Sequence, residues 1–238
     1  MNATEPSRPV TLVTGTRTGI GRQLVEHYLT LGHEVIGCSR GDVDLVHDSY
    51  RHHVANVANE ADVKRVMTAV RSEYGRLDHL INNAGIASMN HAILTPASTV
   101  ERVLQTNVVG TFLFCREAAK LMKRNAWGRI VNLSTVAVPL KLAGEAAYVA
   151  SKAAVVSLTQ VLAKELASFG ITVNAVGPTP VRTDLIRSVP ERQLEALLGQ
   201  QAIPRFGTVS DVANVVDFFF DRRSDFVTGQ TIYLGGVF

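Results

Sequence analysis

The sequence predicts an α/β fold, in which a doubly wound parallel sheet of about seven strands carries helices on both faces. Short runs rich in β-branched residues, typical of strands buried on both faces, alternate along the chain with longer segments of helical periodicity. Glycine, asparagine and hydroxyl residues follow the strands. Because the carboxyl ends of parallel strands meet at one edge of a sheet, we expect a ligand site at that edge.

Composition narrows the class of protein. The chain has 238 residues, 46% of them hydrophobic, which predicts a single domain over residues 10–238 after a loose leader over residues 1–9. The net charge of +3 is scattered without a basic stripe, so no nucleic-acid partner is expected. Cys38 and Cys115 show no metal-ligand or disulfide spacing, so we expect no metal and a cytoplasmic location. No signal peptide and no membrane-spanning run are expected either.

The first strand, residues 10–14, runs into a glycine-rich turn and then a helix over residues 22–31. Gly15, Gly19 and Gly21 let backbone N–H groups approach a phosphate, and the N-terminus of the helix attracts its negative charge. The G-x-x-x-G-x-G spacing differs from the G-x-G-x-x-G of many dinucleotide binders, and a tight turn without a ligand is the alternative. Strand, turn and helix together predict a Rossmann-type dinucleotide-binding domain.

The end of the second strand bears on the choice of dinucleotide. Folds of this type usually place an acidic residue there, which binds the adenosine ribose hydroxyls. This chain has Ser39 and Arg40 instead, which can hydrogen-bond and neutralise a 2′-phosphate, and Arg17 in the glycine turn adds a second positive group. NADP(H) is therefore favoured. NAD(H) stays open, because Asp42 and Asp44 follow and Arg40 could be an ordinary solvated charge.

The remaining segments complete the alternation of strands and helices. The adjacent pair His52-His53 is expected at a loop surface, and a mobile, partly helical lid is expected over about 182–205. The predicted strands span 34–40, 51–56, 77–82, 128–135, 171–176 and 230–234, and the predicted helices span 60–74, 99–125, 145–169 and 211–220.

Polar residues stand at the ends of several of these segments. Asn56-Val57 could hydrogen-bond an adenine edge or simply make a turn. In Asn83-Ala84-Gly85 the small residues would let a flat ring lie against the backbone, and asparagine side chains could tie neighbouring strands together. Asn107 and Gly110 are both costly inside a helix, which indicates a local reason for their presence.

The strongest chemical signal is Tyr148 followed by Lys152 in a predicted helix. A spacing of four places both side chains on one helical face. An ammonium favours phenolate, so the pKa of Tyr148 should fall toward neutral pH, and such a tyrosine can exchange a proton with a reacting oxygen. The alternative is a half-buried tyrosine packed on a lysine stem.

From Val10 to Gly236 the chain resembles the short-chain dehydrogenase/reductase family, and within it the bacterial 3-oxoacyl-(acyl carrier protein) reductases. Each motif is loose alone, but their order and intervals together are specific. The matching residues are Thr14-Gly15-x-x-x-Gly19-Ile20-Gly21, Asn82-Asn83-Ala84-Gly85, Asn107, Ser134-Thr135, Tyr148-x-x-x-Lys152 and Asn174-Ala175-Val176-Gly177-Pro178.

The resemblance implies a role for each matching residue in a catalytic domain. Tyr148 would protonate a carbonyl oxygen as hydride arrives from the nicotinamide, and Lys152 would hold the nicotinamide ribose and lower the pKa of Tyr148. Asn107 would fix a water that relays protons to Lys152, and Thr135 would hold the substrate oxygen. The cofactor-binding set would comprise Gly15, Arg17, Gly19, Ile20, Gly21, Ser39, Arg40, Asn56, Val57, Asn83, Ala84, Gly85, Tyr148, Lys152, Pro178, Val181 and Thr183.

Three departures from the family pattern affect these expectations. Thr135 stands where the family usually has serine, with Ser134 one residue earlier; adjacent strand residues face opposite ways, so only one can serve, and we favour Thr135. Thr179 follows Pro178 where glycine is usual, which adds bulk near the cofactor. The stretch 41–50 is short for the family, which suggests a reduced third helix.

The expected function is NADPH-dependent reduction of a ketone, preferably a 3-oxoacyl thioester of acyl carrier protein or CoA, to a 3-hydroxy product. One alternative is an NAD(P)-dependent alcohol or sugar dehydrogenase, and another is a cofactor-binding sensor without turnover. The family implies a homotetramer built on the long helices and the last strand. Docking of an acidic carrier protein would use lid arginines, although solvated surface charge is the simpler explanation for Arg182, Arg187, Arg192 and Arg205.

Overall fold

The computed structural model describes residues 8–187 and 189–237, so residues 1–7 of the expected leader lie outside the described residues. Seven strands form one sheet, and every neighbouring pair is parallel. The strands are β1 (Val10–Thr14), β2 (Glu34–Ser39), β3 (Tyr50–Val54), β4 (His79–Asn82), β5 (Gly128–Leu133), β6 (Ile171–Gly177) and β7 (Thr231–Tyr233).

The strand order is β3-β2-β1-β4-β5-β6-β7, which confirms the predicted doubly wound fold. The chain builds outward from β1 in one direction, then crosses over and builds outward from β4 in the other. This reversal leaves a crevice at the carboxyl ends of β1 and β4, where such folds bind their ligands.

Eight α-helices lie along the described chain and cover both faces of the sheet. One buried apolar cluster packs α2, α4 and α6 against the sheet, and the other packs α1 and α8 against its opposite face. The helices are α1 (Gly19–Thr30), α2 (Glu60–Tyr74), α3 (Ala97–Leu104), α4 (Gly110–Met122), α5 (Ala137–Leu140), α6 (Ala146–Leu166), α7 (Glu191–Leu198) and α8 (Val209–Phe220).

Local sequence sets several helix ends. The side chain of Asn59 accepts hydrogen bonds from the first-turn amides of α2, and Gly75 ends that helix in the left-handed conformation. Thr208 and Asp211 form a reciprocal capping box at the start of α8. The lid predicted over 182–205 contains a short 3₁₀ turn and α7 rather than one helix. The stretch 41–49 carries no helix, in line with the expected reduction there.

The segment predicted as one helix over residues 99–125 is interrupted. Between α3 and α4 the chain forms a π-helical turn over Gln105–Val109, and a 3₁₀ turn over Lys123–Asn125 follows α4. Asn107 lies in the π-helical turn and Gly110 opens α4. A π-helical turn is a frequent mark of a functional site, and it supplies the local reason that these two residues indicated.

Helix α6 with its 3₁₀ extension, Ala146–Phe169, is long and apolar enough to meet a length-and-composition criterion for a membrane span. The expectation from the sequence concerned an uninterrupted apolar run of about 20 residues, and Lys152 and Lys164 interrupt this helix. A helix of a folded core passes the same test, and α6 packs on β5, β6 and α3. Tyr148 and Lys152 lie on the buried side of α6, within the ligand crevice.

Candidate active site

Two cavities lie side by side at the carboxyl edge of the sheet. The first has a volume of ≈ 300 Å³ and is lined by residues from the ends of β4 and β5, from α6 and from the lid. The second has a volume of ≈ 410 Å³ and is lined by the glycine turn and by the loops after β2 and β3. Most of the site residues predicted from the sequence line these two cavities, whereas Gly19, Gly21 and Asn107 line neither. The first cavity is lined by Tyr148, Thr135, Lys152, Ile20, Asn83, Pro178, Val181 and Thr183, the second by Gly15, Arg17, Ser39, Arg40, Asn56, Val57 and Ala84, and Gly85 borders both.

Strand β5 ends at Leu133, two residues earlier than predicted, so Ser134 and Thr135 lie in the loop that follows it. Thr135 shares a hydrogen bond with the hydroxyl of Tyr148. Ser134 is buried and bonds to Tyr233, and its Oγ lies 3.5 Å from the carbonyl oxygen of Lys152. Both residues line the first cavity, but only the Thr135 hydroxyl is bonded to Tyr148.

Lys152 reaches from α6 to the end of β5. Its Nζ donates to the carbonyl oxygen of Leu133 at 2.6 Å, and burial lowers the pKa of the Lys152 ammonium to about 8. Burial, together with the Glu145 carboxylate, raises the pKa of Tyr148 to about 12, although the bond with Thr135 lowers it. The expected fall in the pKa of Tyr148 is thus wrong for the chain alone, because desolvation of the buried phenol is the largest effect.

Glu145 is a site residue that the sequence did not single out. Its half-buried carboxylate lines the first cavity one turn before Tyr148, and burial raises its pKa. The side chain makes no hydrogen bond or ion pair with the residues that the structure describes. A carboxylate three positions before a candidate acid on a helix is the signal that could have revealed it.

Asn107 acts as a clamp between the loop after β4 and helix α6. Its Oδ1 accepts from the backbone N–H of Ile86 at 2.9 Å, and its Nδ2 donates to the carbonyl of Ile86 and to Ser151 Oγ, each at 2.9 Å. Ser151 in turn donates to the carbonyl of Tyr148 at 2.7 Å. The side chain of Asn107 therefore orients the segment that carries Tyr148, and its role in holding a water stays a prediction.

The glycine turn is closely packed under the crevice. A Cβ at Gly15 would lie 2.8 Å from Ala84 Cα, and one at Gly21 would lie 2.3 Å from the carbonyl oxygen of Gly15. Helix α1 begins at Gly19, three residues earlier than predicted, so two of the three glycines form its first turn. The Nδ2 of Asn83 donates to the carbonyls of Thr14 and Gly15, which ties β4 to this turn.

Some polar side chains of the second cavity are hydrogen-bonded within the protein, and others have no such partner among the described residues. The Ser39 hydroxyl donates to the carbonyl of Gly41 at 2.7 Å, so it fixes the turn rather than offering its proton to a phosphate. Asn56 Oδ1 accepts from the N–H of Ala58, which is the turn-forming alternative for this residue. Arg17 and Arg40 are exposed and make no hydrogen bond or ion pair with described residues.

The residues present fit a nicotinamide dinucleotide. The glycine turn leaves backbone N–H groups and no side chains where a pyrophosphate would lie, at the N-terminus of α1. Two free guanidinium groups stand at the adenosine end. At the other end, the buried hydroxyl of Thr179 lines the first cavity without a hydrogen-bond partner among described residues.

Comparison with known proteins gives the family. A family model described as enoyl-(acyl carrier protein) reductase matches residues 15–236. The 3-oxoacyl-[acyl-carrier-protein] reductase FabG of Staphylococcus aureus is 36% identical over 236 residues, which cover 94% of this chain and 96% of that protein. The chain belongs to the short-chain dehydrogenase/reductase family. Proteins of the same name from Vibrio cholerae and Escherichia coli are 31% and 30% identical to this reductase-family chain over 233 residues, covering 95% of it and 96% of each relative.

Solved structures of short-chain dehydrogenases share the fold. The aldohexose dehydrogenase of Thermoplasma acidophilum superposes with a TM-score of 0.88 at 30% identity, covering 97% of this chain and 94% of that one. A 4-hydroxyisoleucine dehydrogenase solved with NADH gives 0.86 at 25% identity, with 96% and 98% covered. ElxO solved with NADP gives 0.87 at 26%, with 95% and 97% covered. The protein is an NAD(P)-dependent oxidoreductase acting on CH–OH or ketone groups.

Proposed function

We propose that the protein is an NADPH-dependent ketone reductase whose substrate is a 3-oxoacyl thioester, of CoA or of acyl carrier protein, and whose product is the 3-hydroxyacyl thioester. The observation that carries the proposal is the hydrogen-bonded pair Tyr148 and Thr135 in the wall of the first cavity. The sequence relatives named 3-oxoacyl reductases support the thioester. Apolar side chains that would accompany an acyl chain line the same cavity: Met89, Leu142, Val189, Leu194 and Leu197.

The chain supplies the proton and the positioning for this reaction. Bound NADPH supplies the hydride that forms the new C–H bond. Tyr148 donates its hydroxyl proton to the carbonyl oxygen, because a pKa of about 12 keeps it protonated at neutral pH. The hydroxyl of Thr135 holds that oxygen, where negative charge develops. Lys152 is placed to return a proton to Tyr148, since burial brings the pKa of its ammonium to about 8.

The preference for NADPH rests on the charges around the second cavity. A Cβ at Gly41 would lie 3.1 Å from Arg17 Nη1, so this guanidinium covers the turn that carries Arg40. Asp44, one of the acids that kept NAD open, is paired with Arg22 at 2.5 Å. Two free guanidiniums and a neutralised acid favour a 2′-phosphate.

The experiment is to follow consumption of NADPH and NADH with acetoacetyl-CoA, for the parent and for Tyr148→Phe. We expect turnover with NADPH at least about tenfold better than with NADH, which corresponds to about 1.4 kcal/mol. The phenylalanine variant should bind NADPH like the parent and reduce nothing. NADPH binding without turnover of acetoacetyl-CoA would contradict the substrate, and equal use of both cofactors would contradict the NADPH preference.

A second candidate is an alcohol or sugar dehydrogenase. The observation that favours it is the Glu145 carboxylate, because an unpartnered acid in a half-buried cavity can accept hydrogen bonds from substrate hydroxyls. The structural similarity to an aldohexose dehydrogenase supports it. This function would be supported if the purified protein oxidised aldoses or polyols faster than it reduced ketones.

We propose further that the protein is a cytoplasmic homotetramer. Apolar side chains remain exposed on the long helices, namely Leu104 on α3, Phe112 on α4 and Val161 on α6, and burying them between copies would stabilise an assembly. A monomeric mass in light scattering would contradict it.

Carrier-protein docking would depend on Arg187 and Arg192, because Arg182 and Arg205 are paired with Glu191 and Asp211.

A further inference from the structure

A polar cluster lies beneath the second cavity, and His52 is at its centre. The Nδ1 of His52 is 3.2 Å from Tyr50 Oη and 3.4 Å from Thr16 Oγ1. Its Nε2 is 3.2 Å from Ser39 Oγ and 3.1 Å from the carbonyl oxygen of Gly41. The imidazole thus connects β3, the glycine turn and the loop after β2, and it is not the loop-surface residue expected from the sequence.

The hydrogen-bond partners determine which nitrogen carries the proton. Ser39 gives its only hydroxyl hydrogen to the carbonyl of Gly41 at 2.7 Å, and that carbonyl can only accept. The Nε2 of His52 must therefore be a donor toward these two oxygens. In the neutral imidazole Nδ1 is then an acceptor. Tyr50 donates its hydroxyl hydrogen to Thr16 Oγ1 at 3.3 Å, which leaves the hydroxyl of Thr16 as the donor to Nδ1.

The fold leaves room for this cluster at one position of β2. Gly37 pairs in register with His52, and a Cβ at Gly37 would lie 2.2 Å from Tyr50 Oη and 2.7 Å from Thr16 Oγ1. Any larger residue would displace these hydroxyls. A buried polar cluster whose members each have a partner is rigid, and it fixes the backbone to which it bonds.

The backbone held by the cluster is the one that bears the charges of the second cavity. The carbonyl of Gly41 accepts from both Ser39 and His52, so the chain is clamped on either side of Arg40. The guanidinium of Arg17 packs over the same glycine. Loss of the hydrogen bonds from His52 would remove neither Arg17 nor Arg40. It would, however, loosen the loop of residues 39–41, which sets the distance between the two guanidinium groups.

We infer that His52 is a positioning residue for recognition of the 2′-phosphate of NADPH, acting through the clamped loop of Ser39, Arg40 and Gly41. This inference rests on the proposed preference for NADPH. His52 touches neither the reacting atoms nor the nicotinamide end of the crevice. Its effect should fall on the affinity for the phosphorylated dinucleotide alone.

The test is a set of fluorescence titrations that measure the Kd for NADPH and NADH, without any substrate. His52→Leu removes both nitrogens, and His52→Asn keeps a polar group only near Tyr50 and Thr16. His52→Gln keeps an N–H donor near Gly41. His53→Leu is the matched control, because His53 is the next residue of β3 and its side chain faces the other way. Thermal unfolding shows whether each variant is folded.

We expect the leucine and asparagine variants to bind NADPH about fivefold to tenfold more weakly, as loss of one or two hydrogen bonds predicts, with the Kd for NADH changed less than twofold. The glutamine variant and the His53 control should bind both cofactors like the parent. At saturating NADPH, kcat of the leucine variant should equal that of the parent, since only positioning is lost.

Three results would contradict the inference, and they are distinguishable from one another. If the parent prefers NADPH and the leucine and asparagine variants keep the parent's Kd for NADPH, His52 has no positioning role, although the proposed function stands. If all variants lose affinity for NADPH and NADH equally, the role of His52 is structural. A parent without any preference for NADPH would overturn the proposed cofactor and, with it, this inference.

Discussion

Thr135 and Tyr148 are joined by a hydrogen bond across the first cavity, from the end of β5 to helix α6. The neighbouring hydroxyl of Ser134 is buried and bonds to Tyr233 instead. The two hydroxyls are adjacent in sequence but have different partners, so substituting each in turn tests which of them the proposed reaction uses.

Thr135→Val should lower kcat/KM for ketone reduction by about 100-fold, because the substrate oxygen loses a preorganised donor. Thr135→Ser keeps the hydroxyl and should stay within a few-fold of the parent. Ser134→Ala should leave kcat/KM nearly unchanged. Steady-state kinetics with one ketone substrate measure all three, and a larger loss for Ser134→Ala than for Thr135→Val would assign the substrate oxygen to the serine.

Removing the charge of Glu145 should lower the pKa of Tyr148, because the carboxylate beside it raises that pKa. Oxidation of the alcohol product needs the deprotonated tyrosine, so the rate of Glu145→Gln at a fixed pH near 9 should exceed that of the parent. Rates of alcohol oxidation measured from pH 7 to 10 give the apparent pKa of each protein and hence the shift caused by the substitution. Glu165→Gln makes the same change at an exposed position of α6, and its pH profile should match the parent.

The stability of the protein should depend on pH through Lys152. Burial lowers the pKa of its ammonium from 10.5 to about 8, so between these values the unfolded chain binds more protons than the folded one. The contribution of Lys152 to stability therefore rises with pH across this window, by up to about 3 kcal/mol. In urea unfolding from pH 7 to pH 10, the free energy of unfolding of the parent should increase relative to that of Lys152→Met. A constant difference between them would contradict the shifted pKa.

Asn107→Leu should destabilise the fold by about 2–4 kcal/mol, because it leaves both backbone groups of Ile86 and the hydroxyl of Ser151 without their partner in a buried site. Ser151→Ala removes one partner only and should cost about 1 kcal/mol. Urea denaturation measures both. Equal losses in the two variants would mean that Asn107 does not hold the loop after β4.

Local sequence patterns predicted what depends on short-range rules. The seven strands, the glycine turn and the spacing of Tyr148 and Lys152 follow from periodicity and from backbone sterics. Strand alternation, on which the choice of Thr135 over Ser134 was based, does not apply, because β5 ends at Leu133, and that choice stays a prediction. The π-helical turn around Asn107 was not predicted, since the segment was treated as one regular helix, and Asn107 and Gly110 indicated only that something local was unusual.

Effects that need the assembled fold were missed. The high pKa of Tyr148 arises from burial by segments far away in sequence, and no spacing rule contains that desolvation. Ser39 was expected to meet a phosphate, but its hydroxyl bonds to a carbonyl two residues on. His52 pairs with residues from two other loops, and its partners become neighbours only when β2 and β3 align.

The π-helical turn at Gln105–Val109 joins α3 and α4 into one continuous helical segment, and it changes the direction in which the side chains of α4 point. One additional residue in a helix rotates everything after it by about 100°. Helix α3 can therefore pack on α6 while α4, continuing along the same segment, packs on α2. Deleting one residue from this turn would hardly shorten the helical segment, but it would rotate the apolar face of α4 away from the sheet. The hydrogen bonds between Asn107 and Ile86 would also be lost.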